Sequence, residues 1–216
     1  MKINPTILTK DKDDYIMQTI RDAGFAKELD IDVIDWSLTQ GKTITAEESL
    51  DVPVDVIFNF DLMMDYPTKA VKVLIEDVRV RKIIINLHSL DNIDDLLELI
   101  RQKGIKTAVS FHDSDQYDDV KNYFKIVDSI HIFAIQPGAQ GNEFRPEMLE
   151  YSKKLREDGF EGEIGLDGGV NKQTLPQILN FPFDVVVVGS AISKSENPKT
   201  TYLDLIEMEK QLQNNA

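Results

Sequence analysis

A 216-residue chain that is 42% hydrophobic and 29% charged has the composition of an ordinary globular protein, and residues 1–216 are read as a single domain with a sizeable core. It has no cysteine, which excludes disulfides and thiolate metal sites. Its formal charge of −14 argues against a nucleic-acid partner, whose phosphates it would repel, and obliges any anionic substrate to find a local site against the overall field. No stretch approaches the roughly 18 apolar residues of a membrane span, and Met1–Pro5 lacks a signal peptide's apolar run, so the expectation is a cytoplasmic protein with no membrane partner.

Short β-branched runs alternate with amphipathic stretches. The first strand is predicted at Lys2–Leu8, followed by Glu28–Ile34, Val54–Phe60, Lys82–Leu87, Lys106–Phe111, Ile126–Ile135, Glu163–Leu166 and Asp184–Val188. Helical patterns lie between them; in Asp91–Lys103, residues Ile93, Leu96, Leu97 and Ile100 share one face. Eight strand–helix units predict a parallel sheet closed into a single (β/α)8 TIM barrel. Trp36–Pro53 has no clear period and reads as a long loop, of the kind that is often functional.

Carboxylates recur near the ends of the predicted strands. In Leu29–Asp35 the two-residue period puts Asp30 and Asp32 on one face, pointing into the barrel near its upper mouth. Asp61 is read as ending the third strand, with Asn59 on its face, and Asp167 as ending the seventh. One such aspartate would be read as a helix cap; carboxylates from three strands at one rim point to a site. Gly168 and Gly169 follow the seventh strand, and Gly189 and Ser190 the eighth. Glycine turns entering helices let backbone N–H groups approach an anion, and barrels often bind phosphate at these two loops. A third turn, Pro137-Gly138-Ala139-Gln140-Gly141, could close over the ligand from the sixth strand.

At these residues the chain resembles ribulose-phosphate 3-epimerases over nearly its whole length. Ile3–Leu8 resembles the family's opening strand, which usually has serine where Thr6 stands, so Thr6 joins the glycines of the 138–141, 168–169 and 189–190 turns as an implied substrate contact. Asp30–Asp35 is similar to its His-x-Asp-Val-Met-Asp motif, Asp61-Leu62-Met63 with Pro67 to its His-Leu-Met…Pro segment, and Gln136–Phe144 to its Asn-Pro-Gly-Phe-Gly-Gly-Gln-x-Phe loop. Asp167–Asn171 and Gly189–Ile192 match its phosphate-binding ends. In that family two histidines and two aspartates bind a divalent metal, and the aspartates also serve as acid and base. The resemblance implies that Asp32 and Asp167 are catalytic and that Asp30, Asp32, Asp61 and Asp167 stand at the metal positions. The two histidine positions carry Asp30 and Asp61 instead, Asn86-Leu87-His88 replaces a His-x-Glu motif, and His112–Asp115 replaces an Asn-Pro-x-Thr-Pro segment. An all-carboxylate set favours magnesium or manganese over zinc or iron. A metal-free site of mutually repelling carboxylates with raised pKa values is the other expectation.

The implied reaction is epimerisation of a ketose phosphate such as ribulose 5-phosphate through an enediolate, with Asp32 and Asp167 exchanging the C3 proton from opposite sides. Met63 stands where the lysine of related decarboxylases belongs, the sixth strand has no Schiff-base lysine, and the first ends in Thr6-Ile7-Leu8 with no acid. Another phosphosugar enzyme on the same barrel, or a phosphosugar-binding protein without catalysis, is the alternative. Relatives assemble into dimers or hexamers, so self-association is expected. His88, His112 and His131 are read as structural, with His131 facing the interior; Trp36 and the Met63–Met64 pair are read as packing, though Met63 could line the pocket floor.

Overall fold

The computed structural model describes residues 1–35, 37, 41–113, 116–135 and 142–214. Its strands are β1 (Lys2–Ile7), β2 (Glu28–Asp35), β3 (Ile57–Met64), β4 (Val80–Asn86), β5 (Lys106–Phe111), β6 (Ser129–Phe133), β7 (Glu163–Asp167) and β8 (Val185–Val188). All pair in parallel with their sequence neighbours, and β8 closes on β1, giving the (β/α)8 barrel. The helices are α1 (Lys12–Ala23), α2 (Ala46–Leu50), α3 (Thr68–Leu74), α4 (Ile93–Gln102), α5 (Tyr117–Val120), α6 (Glu150–Glu157), α7 (Leu175–Ile178), α8 (Ser190–Ser193) and α9 (Pro198–Asn214).

Some helices, α1, α2 and α4 among them, start where a side chain satisfies a first-turn N–H group. Asp11 accepts from the Asp14 N–H to open α1, and Asn92 from the Asp95 N–H to open α4. Inside the supposedly irregular 36–53 segment, Thr45 and Glu48 form a reciprocal capping box that starts α2, and Lys42 bridges antiparallel to Asp35. That segment is therefore only partly a loop.

Outward-facing strand residues, among them Ile31, Phe60, Ile85, Val109 and Ile132, pack with Leu74, Leu97, Leu155 and Leu205 of the helices in one buried layer. Each such side chain contributes about 1.5–3 kcal/mol. The inward rows are largely polar: Asn4 and Thr6, Asp30 and Asp32, Asn59 and Asp61, Lys82 and Asn86, Ser110, His131 and Asp167 are all buried. This polarity explains the largest boundary error. The third strand runs to Met64 and not Phe60, so Asp61 lies within it, paired opposite Asp32. The sixth starts later than predicted, the Ile126 and Val127 N–H groups closing turns onto the Tyr123 carbonyl before Asp128 joins β5 through the Thr107 carbonyl.

Candidate active site

Two inward-facing polar layers occupy the barrel. The lower begins with Lys82, whose ammonium donates to Glu163 Oε1 at 2.8 Å and lies 2.9 Å from His131 Nε2. His131 fills space that Gly165 leaves open; a Cβ there would lie 2.6 Å from the imidazole. Asp30 faces inward as expected, but one pleat deeper than the mouth. Its Oδ1 accepts from Asn59 Nδ2 at 2.6 Å and from Asn4 Nδ2 at 3.5 Å, while its Oδ2 has no partner. Burial pushes its carboxyl up to about 6, against the pull of Lys82 and the two amides.

The upper layer holds Asp32, Asp61 and Asp167, all buried: the first two in the C-terminal halves of β2 and β3, the third at the end of β7. The strands bearing Asp32 and Asp167 are separated by β1 and β8, so the two approach from well-separated walls. Thr6 donates to Asp32 Oδ1 at 2.9 Å, and Asp61 Oδ1 has no partner. Burial pushes Asp32 up to about 7; the Thr6 hydroxyl opposes this and the Asp30 charge adds to it. Asp61 and Asp167 are held well above the ordinary carboxylate range, first by burial and then by the other aspartates; the Gly168 N–H acts the other way on Asp167. The sequence-predicted aspartates thus share one electrostatic environment, and their protonation is interdependent.

After β7, Gly168 (φ 94°) and Gly169 (φ 73°) adopt a left-handed backbone that glycine alone accepts readily. Each is also closely covered: a Cβ on Gly168 would meet Ile135, and one on Gly169 would meet Phe144, at 2.4 and 2.3 Å. Asn171 and Thr174 side chains both donate to the Gly169 carbonyl, fixing the turn. After β8, Gly189 precedes α8, whose first N–H groups have no side-chain cap. A cleft of about 490 Å³ beside these turns is lined by Asn171, Lys172, Ser190 and Lys194, among others. The two lysines were not singled out from sequence; their signal was only their place one or a few residues beyond the glycine turns. Gly138 and Gly141 lie outside the described residues, as does Trp36.

Residues 2–193 match the family model described as ribulose-phosphate 3 epimerase family. The chain belongs to this family. It is 25% identical over 207 residues to the ribulose-phosphate 3-epimerase of Bacillus subtilis, covering 89% of this chain and 92% of that one. With the Eremothecium gossypii ribulose-phosphate 3-epimerase it shares 25% identity over 163 residues, 76% of this chain and 67% of that one. Among solved structures, KGPDC from Streptococcus mutans in complex with D-R5P superposes with a TM-score of 0.71 at 13% identity, covering 97% of both chains, a likeness of fold. The family's members are isomerases acting on a phosphorylated sugar, and the chain is an epimerase-type barrel.

The family resemblance implies a divalent metal at the four aspartate positions. Their oxygens are chemically suited to a hard cation, and the open Asp30 Oδ2 and Asp61 Oδ1 are available donors. Their placement does not fit a preformed cage: among the described residues, no group of three or more histidine, cysteine, aspartate or glutamate side chains is arranged to hold a metal ion. Asp30 shows part of the reason, since Asn59 and Asn4 already hold one of its oxygens one layer down.

Proposed function

We propose that the chain epimerises a ketose phosphate, ribulose 5-phosphate or a close relative, by two-aspartate proton transfer. The observation that carries this reading is the pair Asp32 and Asp167: buried carboxyls on separate strands, both held above the ordinary carboxylate range by burial, Asp32 at about 7. A general base and a general acid work best when their pKa values lie near the working pH. One ionised carboxylate beside one protonated carboxyl is the state that crowding of these groups favours. The base removes the proton at C3 and the acid returns one to the opposite face. The Gly168–Gly169 turn and the Gly189–Ser190 turn would hold the phosphate through backbone N–H groups.

No step here is routed through a metal. Any cation retained by the protein should be magnesium or manganese before zinc or iron, by the oxygen-only donor set. The charge of −14 supports the absence of a nucleic-acid partner, and among the described residues no helix is long and apolar enough to cross a membrane. Cytoplasmic residence, on the lack of a signal-like apolar run at Met1–Pro5, and assembly into a homo-oligomer, on the family resemblance, complete the reading.

The test is solvent deuterium incorporation into a panel of ketose phosphates, with and without added divalent metals. Incorporation at C3 is expected. Binding of sugar phosphates without incorporation under any of these conditions would replace this reading with a phosphosugar-binding protein.

A further inference from the structure

The proposed reaction develops negative charge on the ketone oxygen, and an ionised aspartate cannot stabilise it. The opposite side of the rim offers a different chemistry. On β4 the inward row runs Lys82, Ile84, Asn86, and on β5 it runs Ala108, Ser110; in both strands the alternate residues, Ile83, Ile85, Val109 and Phe111, belong to the outer core. His112 directly follows Phe111 at the end of β5, and His88 lies in the turn after β4, beyond Asn86 and Ser110, which are register partners. Their rings stack with centroids 4.7 Å apart at 31°.

The barrel's stagger fixes their height. Starting from Asp32, the register partners are Asp61, Ile84, Ala108, Ser129 and Glu163. An eight-stranded barrel of shear eight climbs one residue per strand against that register. The level of Asp32 therefore passes through Leu62, Asn86, Phe111, Phe133 and Gly168. His112 and Asp167 each lie within one residue of it.

Three hydrogen bonds hold the histidine pair's backbone. Gln116 Oε1 accepts from the His112 N–H at 3.2 Å, Arg145 Nη1 donates to the His112 carbonyl at 3.1 Å, and the His88 N–H donates to Asn86 Oδ1 at 2.9 Å. His112 is only 6% exposed.

We propose that His112, resting against His88, donates a hydrogen bond to the ketone oxygen of the substrate as that oxygen becomes an enediolate. This rests on the epimerase reading. The C3–H bond breaks to one aspartate, its electron pair forms the C2–C3 double bond, and the C2–O pair moves onto oxygen. The imidazole keeps its proton throughout. The second aspartate then protonates C3, the C2–O double bond re-forms, and solvent exchange resets the two carboxyls. Burial, and after it the neighbouring His88, lowers His112 to about 4, so the ring is neutral at physiological pH and presents an N–H without surrendering it. A neutral imidazole is an established electrophile for enediolate formation, and loss of one such donor typically costs about 10²–10³-fold in kcat.

Wild-type protein, His112→Ala and His112→Gln are compared for C3 deuterium exchange, kcat and KM, and for affinity for a phosphorylated hydroxamate, a planar enediolate mimic, against a phosphorylated polyol of the same length. The alanine variant should lose about 100-fold or more in kcat with KM within about threefold, and lose hydroxamate affinity while keeping that for the polyol. The glutamine variant, which keeps a donor of similar reach, should recover part of both losses and also serves if the alanine variant fails to fold. An active wild type with a folded His112→Ala or His112→Gln variant unchanged in kcat and in hydroxamate preference would overturn the role of His112 alone. A wild type without exchange would instead remove the epimerase reading, and this inference with it.

Discussion

At the floor of the barrel a buried cation, Lys82, lies 2.8 Å from Glu163 and draws the charge of Asp30, whose other supports are two amides. At the rim, Asp32, Asp61 and Asp167 face one another with a threonine hydroxyl on Asp32 and an open oxygen on Asp61. Both layers bury ionisable groups and raise a carboxyl, yet of these two sets only the lower includes a cation to offset the charge. Balanced burial is what a stable core tolerates; unbalanced burial raises pKa values and is what an acid–base site requires.

The largest effect should come from breaking the unbalanced side. Asp32→Asn or Asp167→Asn preserves size and removes proton transfer, so C3 exchange should fall about 10²–10⁴-fold, with phosphate binding largely retained. A variant that exchanges at the wild-type rate would show that its aspartate is not part of the acid–base pair.

Breaking the balanced side should cost stability in place of chemistry. Lys82→Met leaves Glu163 and Asp30 without their cation and should destabilise by about 3–5 kcal/mol in urea titrations. Adding Glu163→Gln should recover part of this; a strictly additive double variant would mean that the two side chains are not coupled.

At the turn between the rim and the phosphate site, Gly169→Ala meets both a left-handed φ and the Phe144 ring. A loss of about 1–3 kcal/mol is expected. Sugar-phosphate affinity should fall with it, measured by calorimetry under conditions where the variant stays folded.

The smallest effect has the opposite sign. Asp61→Asn removes one of the repelling carboxyls and should raise the melting temperature by about 2–4 °C near pH 8, since about 1 kcal/mol shifts a domain of this size by that much. Linkage gives the direction. The folded carboxyls titrate above their ordinary values, so their protonated stabilisation is complete below about pH 4 and is lost as pH rises through about 6 for Asp30 and about 7 for Asp32. Wild-type stability should therefore fall from pH 4 to 8 through these groups, and the gain from Asp61→Asn should vanish near pH 4. A gain that persists there would point to packing and not to charge.

The barrel itself was legible because its outward rows are unmistakable. Lys106–Phe111 was bounded to the residue, since Val109 and Phe111 alternate cleanly with small or polar partners. The same rule misled in the third strand, where the inward row is Asn59, Asp61 and Met63 and a carboxylate looks like a terminus. The aspartates and the glycine turns were legible by spacing. Lys82, His88 and His112 were not, because each is a single polar residue whose meaning depends on which way it faces. Parity along β4 and β5 was the available signal, and it required knowing that the interior is polar.

Ile135 and Phe144 seat their side chains in the space that Gly168 and Gly169 leave by lacking a Cβ. These two residues bracket the strand-six connection, so its entry and exit are moored to the turn that carries Asp167. This mooring ties together mutations that look unrelated in sequence. A bulkier residue at 168 must displace Ile135, and a smaller one at 144 leaves a void over Gly169. Recombination between relatives should accordingly tolerate exchange of residues 135–144 and 167–171 as one block better than exchange of either alone.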